Sequence, residues 1–154
     1  MTAAPLSPSD CYHTGLVVAD LQTATVRVTA AGGYTWTKPV EATLAIATAD
    51  AEYEVPFKFV YSIEAPHLEL IQAVPGTIWT TPSASAAHHL GYWVDDLAAA
   101  ADRLQTAGYR LEARPAGAQL SMFAYYVDPF GVRIEIVDRA LFPDWPGFLA
   151  QMKA

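Results

Sequence analysis

The sequence predicts an α+β fold made of two βαβββ modules in tandem, and three observations carry that expectation. A frame is written twice: YHTGLVVADLQTATVRVTAAGG, starting at Tyr12, returns as HHLGYWVDDLAAAADRLQTAGY over residues 88–109. With His13 set on His89, a shift of 76 residues, Gly15 falls on Gly91, Val18 on Val94, Asp20 on Asp96, Leu21 on Leu97 and Gly32 on Gly108. The copies also close alike, the first on PHLELI with Glu69 and the second on VRIEIV with Glu135. Finally, 53% hydrophobic and 16% charged residues is a globular composition. Halves of about 70 residues seldom bury enough core alone, so the two copies are expected to share one.

In chain order, residues 1–11 read as a loose arm containing Pro5 and Pro8, and the first module runs over 12–72. Tyr12 to Val18 is a short, nearly continuous apolar run, as in a strand covered on both faces. Asp20 suits a helix N-cap, and Leu21, Ala24, Val28 and Ala31 make one helical stripe that Gly32 can end. Threonine and valine weaken that helix by propensity, so packing must hold it. Strands are expected near residues 43–48, 54–61 and 67–72, with turns at Ala49-Asp50-Ala51 and Glu64-Ala65-Pro66. Residues 73–87, rich in proline and small side chains, read as a linker. The second module, 88–139, repeats the plan. A strand at 88–94 precedes the N-cap Asp96 and a helix with Leu97, Ala100, Leu104 and Ala107 on one stripe, stopped at Gly108. Strands follow near 110–114, 121–128 and 133–138, with the Asp128-Pro129-Phe130-Gly131 turn between the last two. The tail, 140–154, is aromatic and interrupted by prolines; it either caps the core or closes over a site.

Charge narrows the partners. Nine basic against sixteen acidic residues give a net charge of −7 without a cationic patch, which disfavours nucleic acid and anionic membrane surfaces and favours a small, largely apolar ligand. The single cysteine, Cys11, cannot form an internal disulfide and fits a reducing compartment. No basic-then-apolar leader opens the sequence and no run reaches the 18 apolar residues of a membrane span, so a cytoplasmic protein is expected. Sheet edges that need covering make a homodimer the expected assembly.

Each copy opens on a histidine and closes on a glutamate. Side chains alternate along a strand, so His13 shares a face with Cys11, Gly15 and Val17, and Glu69 with His67 and Ile71. In the second copy His89 goes with Gly91 and Trp93, and Glu135 with Arg133 and Val137. If the first and last strands of each module are neighbours, two imidazoles and two carboxylates project together, a donor set that suits Zn, Ni, Co, Mn or Fe. A lone strand histidine is more often a core residue, and a lone strand glutamate more often faces solvent. Recurrence in both copies, and the cost of burying two carboxylates without a cation, favour the metal. His88 faces away from His89 and suits packing or support; His67 suits the surface. Trp93, Tyr125 and Cys11 are the candidate pocket residues, although core packing also suits aromatic side chains and a small thiol. Lys38, Lys58, Arg133 and Arg139 are the basic residues nearest a site by sequence, and nothing arranges them into a phosphate cradle.

HTGLVVADL with PHLELI, then HHLGYWVDDL with DPFGVRIEIVD, resembles the vicinal oxygen chelate superfamily, which includes glyoxalase I, methylmalonyl-CoA epimerase, extradiol dioxygenases and the bleomycin and fosfomycin resistance proteins. The resemblance spans residues 12–138. It implies paired modules forming an open, cleft-bearing, glyoxalase-like mixed β-barrel around a divalent metal, with His13, Glu69, His89 and Glu135 as ligands. Two histidines with two glutamates is similar to bacterial glyoxalase I, whereas the epimerase usually has glutamine at the place of Glu69. VTAAGGYTW stands where glyoxalase I has an aromatic-rich FYxxxLG stretch, a departure from that enzyme.

The implied activity is proton transfer on a small oxygenated metabolite, by an isomerase, epimerase or glyoxalase-type lyase, with Glu69 and Glu135 as catalytic groups. Two other readings stay open: a non-catalytic binding or resistance protein of the same fold, and an extradiol-type dioxygenase. Four protein ligands disfavour the dioxygenase, which needs open positions at the metal.

Overall fold

The computed structural model describes residues 4–81 and 87–154, so the first three residues of the expected arm and residues 82–86 of the expected linker lie outside the described residues. The described residues form an α+β fold with strands β1 (Cys11–Val18), β2 (Val40–Ala47), β3 (Glu52–Tyr61), β4 (Leu68–Gln72), β5 (His89–Val94), β6 (Arg110–Pro115), β7 (Phe123–Val127) and β8 (Arg133–Asp138). The helices are α1 (Leu21–Gly32), α2 (Leu97–Thr106) and α3 (Trp145–Met152). The strands are hydrogen-bonded in the order β1-β4-β3-β2-β6-β7-β8-β5, and that order closes on itself as a barrel-like sheet. Each half of the chain is therefore βαβββ, with first and last strands adjacent and parallel, β1 on β4 and β5 on β8.

One compact unit gathers the described residues of Met1–Tyr12, Ala45–Glu54 and His89–Pro143. Its core lies under α2, where Ala100 and Leu104 pack against Ala124, Tyr126, Ile134 and Ile136. Asp96 caps α2 by accepting the Ala99 N–H at 2.9 Å, and Gly108, at φ 94°, ends it as the sequence requires. The end of β2 belongs to this unit, Ile46 pairing with Pro115 and Ala47 with Arg114. So does the N-terminal segment, which is not loose throughout: Leu6 packs on the core, and Asp10 accepts from Arg139 at 2.8 Å.

The other unit comprises His13–Leu44, Val55–His88 and Asp144–Ala154. Here α1 lies over Trp36, Val60 and Leu70 with only Leu21 fully buried, and Ala24 and Val28 of the expected stripe are partly buried against the same cluster. Asp20 caps it by accepting the Thr23 N–H at 2.6 Å. The left-handed position is Gly33, at φ 75°, rather than Gly32, because α1 runs two residues longer than α2. Of the expected linker, residues 73–81 are anchored: Trp79 is fully buried with its ring edge-on to Phe57, 4.7 Å between centroids. The tail forms α3, a helix the sequence did not announce. Asp144 accepts the Gly147 N–H at 3.0 Å, Pro146 sits in the first turn where its missing N–H costs nothing, and a Cβ on residue 147 would overlap the Asp144 carboxylate. The end of the chain is tied by hydrogen bonds from Lys38 N–H to Met152 O at 2.7 Å and from Ala154 N–H to Trp36 O at 3.1 Å.

Candidate functional site

Parallel pairing places the same residues together in each half. On β1 and β4 Gly15 stands opposite Glu69, and on β5 and β8 Gly91 stands opposite Glu135. His13 and His89 each lie two residues before their glycine, so they share its face and reach diagonally to the glutamate. The result is the same in both units: His13 Nε2 is 3.2 Å from Glu69 Oε2, and His89 Nε2 is 3.2 Å from Glu135 Oε2. All four residues are buried, Glu69 at 5% and Glu135 at 7% exposure. The four are a buried group, each offering one ligand atom, that could hold a metal ion.

The strand beside each glutamate adds a tyrosine that the repeat frame misses for the first copy. Antiparallel pairing sets Tyr61 of β3 against Glu69 and Tyr125 of β7 against Glu135. Tyr61 meets His13 edge-on at 5.6 Å between centroids, and Tyr125 meets His89 at 5.1 Å. Each imidazole is thereby packed against a ring on one side while its Nε2 points at a carboxylate. Tyr125 was expected in the pocket from sequence. Its counterpart Tyr61 was not, because it stands eight residues before Glu69 whereas Tyr125 stands ten before Glu135, so no single shift aligns the two tyrosines along with the glutamates.

The remaining candidates separate. Trp93 is buried, stacked on Tyr12 at 3.5 Å between centroids and tilted against Phe142 at 5.6 Å. Cys11 is exposed, with its thiol against Tyr92 rather than in the buried group with His13. Partial burial of its thiol raises the pKa above the ordinary value, with a hydrogen bond to Tyr92 opposing that shift. His88 is buried and turned away, its Nε2 2.8 Å from the Ile78 carbonyl, and its backbone N–H donates to Gly15 O. His67 is half-buried between the Ser62 carbonyl, 3.1 Å from Nδ1, and the Trp145 ring at 5.5 Å. Trp145 also lies edge-on to Tyr61 at 4.9 Å, so α3 covers the tyrosine beside the first His–Glu pair.

Of the basic residues, Lys58 pairs with exposed Glu41 at 2.9 Å, and Arg139 joins Asp10 and Asp95 at 2.8 Å each. Both serve ion pairs at the surface. Arg133 differs: it stands on β8 two residues before Glu135, and its Nε is 2.7 Å from Glu112 Oε2. Among the described residues no helix is long and apolar enough to cross a membrane.

No curated protein matches the chain. Solved structures do. Methylmalonyl-CoA epimerase from Mycobacterium tuberculosis is similar over 90% of this chain and 92% of that one, at 22% identity and a TM-score of 0.59. A methylmalonyl-CoA epimerase in complex with methylmalonyl-CoA and NH4+ is similar over 84% and 93%, at 17% identity and a TM-score of 0.58. A hypothetical protein from Bacillus halodurans C-125 is similar over 83% and 92%, at 14% identity and a TM-score of 0.54. At these identities the likeness is one of fold. The sequence itself is more specific: residues 12–126 match the Glyoxalase/Bleomycin resistance protein/Dioxygenase superfamily, and the chain belongs to that superfamily.

Proposed function

We propose that the two His–Glu pairs are the halves of one divalent-metal centre, and that the protein is an enzyme moving a proton on a carbon next to a carbonyl of a small oxygenated metabolite. The observation that carries this reading is the duplicated geometry, a buried glutamate 3.2 Å from a buried histidine at the same register in each half. The donor chemistry fits a cation. Carboxylates are costly to bury, and a cation with imidazole and carboxylate ligands offsets that cost. Two nitrogens and two oxygens suit Zn, Ni, Co, Mn or Fe, with His13, Glu69, His89 and Glu135 holding the ion.

When bound, a divalent cation there supplies Lewis acidity toward a substrate carbonyl and so acidifies the neighbouring C–H. The chain supplies the proton handling. Glu135 takes the proton as carboxylate, and the electron pair left on carbon delocalises into the carbonyl. Glu69, holding the ion as a carboxylate only until the substrate oxygens take its place, then carries a proton and returns it to carbon. Nothing is oxidised or reduced, and return to the opposite face inverts the centre. His13 and His89 orient the carboxylates, with Tyr61 and Tyr125 fixing the imidazole planes. Trp93 and Tyr125 line the substrate pocket in this reading.

The test is exchange of substrate hydrogen in D2O with the metal-loaded protein, starting with methylmalonyl-CoA and small 2-oxo and 2-hydroxy acids, followed by mass spectrometry. Incorporation of deuterium at the carbon next to the carbonyl, lost in Glu135→Gln with metal retained, supports the reading. Exchange unchanged in that variant removes Glu135 from the chemistry. A second reading is a binding protein of the same fold without turnover, in which a ligand held by wild type is recovered unchanged. A homodimer belongs to the same proposal, and sedimentation velocity reads it.

A further inference from the structure

The face of the second module that carries Glu135 also carries an ion pair that the proton chemistry leaves unused. On β8, Ile134 and Ile136 pack under α2, so Arg133, Glu135 and Val137 look to the opposite face. Register extends that face across β7, where Tyr125 stands against Glu135 and Val127 against Arg133. Regular alternation on β6 would not serve Arg133 well, but β6 carries a bulge. Leu111 pairs with Tyr126 and Ala113 with Tyr125, leaving Glu112 as the extra residue between them. A bulge re-aims a side chain. Here it brings Glu112 to Arg133 in a bidentate clasp, Nε donating to Oε2 at 2.7 Å and Nη2 to Oε1 at 2.9 Å. The side chains keep 20% and 16% exposure, so the pair is half-sunk and still open to solvent.

This gives the face a direction. One step from Glu135 toward the chain's start on β8 lies Arg133; one step the other way lies Val137, paired with Trp93 of β5 and Phe123 of β7. Side chains two apart on a strand are roughly 7 Å apart, a span that a short carbon chain and the reach of arginine cover. A guanidinium beside a chelating centre favours one substrate group above others, a planar carboxylate, which matches its fork.

We infer that Arg133 receives a carboxylate carried by the substrate, with Glu112 holding the guanidinium in place until the ligand arrives. The substrate class is then a small oxygenated acid whose carboxylate is separated from its chelating oxygens by a short carbon chain. This rests on the metal reading for the position of those oxygens.

The probes are 2-oxoglutarate, which has two neighbouring oxygens and a distal carboxylate, and 2-oxovalerate, which has the same oxygens and no distal charge. Titration calorimetry is run on protein loaded with Zn and freed of excess ion, and on metal-free protein. We expect at least about tenfold tighter binding of 2-oxoglutarate by wild type, the size of one charge-assisted hydrogen-bonded contact. Arg133→Gln abolishes that preference, and Arg133→Lys keeps only part of it because the fork is gone. Glu112→Gln strengthens it by removing the competing anion. Should Arg133→Gln alone unfold, the double variant Arg133→Gln with Glu112→Gln keeps a neutral amide pair in place and gives the same readout. Equal affinity for the two acids, or binding of neither, in a protein that has taken up metal overturns the carboxylate role and leaves the metal centre standing. A protein that takes up no metal, yet prefers 2-oxoglutarate and loses the preference in Arg133→Gln, supports the carboxylate role and overturns the metal reading.

Discussion

Glu135→Gln should change the stability of the protein in opposite senses with and without metal. Glu135 is 7% exposed and lies 3.2 Å from His89 Nε2. In metal-free protein the carboxylate's contact with His89 is set against a desolvation cost of several kcal/mol, a balance close to break-even for buried ionic pairs. Glutamine keeps the shape and removes the charge, so the expected change is between none and a gain of about 1 kcal/mol. In metal-supplemented protein the balance reverses. A ligand present at a hundred times its dissociation constant stabilises the native state by about 2.7 kcal/mol. In a chain of this size that is roughly 5 to 10 °C of melting temperature. Glutamine, a neutral and weaker ligand, should forfeit most of that rise. The assay is thermal denaturation followed by circular dichroism on wild type and Glu135→Gln, each after chelation and each with added Zn. If the substitution shifts melting by the same sign and amount in both conditions, Glu135 is a structural acceptor and its place in a metal centre is refuted.

Further expectations concern the frame that holds the site. Ile136, fully buried under α2 between ligand-face neighbours Glu135 and Val137, should cost about 3 kcal/mol on truncation to alanine, seen as a lower denaturant midpoint at unchanged slope. Acid stability should depend on two hydrogen-bonded carboxylates. Hydrogen bonds from Thr23 lower the Asp20 pKa, and hydrogen bonds from Thr35 lower that of Glu64. Both folded values lie below the unfolded ones, so the native state binds fewer protons between them. Their contribution is complete above the ordinary carboxylate range and is lost as pH falls through the lowered folded values. Asp20→Asn with Glu64→Gln should therefore flatten the acid limb of a melting-temperature profile below about pH 4.5 and leave it unchanged near neutrality. An acid limb as steep as wild type would show that other groups carry it.

The buried His/Glu group was legible because two rules act together. A duplicated frame marks equivalent positions, and the two-residue period of a strand says which face each occupies, so His13, Glu69, His89 and Glu135 could be paired before any coordinates. The fold class followed from the same repeat. What stayed hidden depends on features that sequence periodicity does not carry. Tyr61 escaped because its equivalence to Tyr125 lies in pairing across an antiparallel hairpin, and the two hairpins differ in length. Helix α3 escaped because Pro146 and Gly147 read as breakers, although Asp144 before Pro146 is a legitimate start. Glu112 could not be aimed at Arg133, since the bulge that turns it appears only in the register of β6 on β7. Cys11 shows the converse failure, where simple alternation along β1 placed it with His13 and the thiol is exposed against Tyr92 instead.

The metal centre is tested most directly by elemental analysis of untagged protein purified without chelators, as wild type and as the double variant His13→Ala with His89→Ala. About one Zn, Ni, Co, Mn or Fe per chain in wild type, absent from a folded double variant, is the expected result. Wild type that carries no metal and takes up none on incubation with each ion would contradict it, leaving the two His–Glu pairs as buried structural contacts and the binding-protein reading in first place.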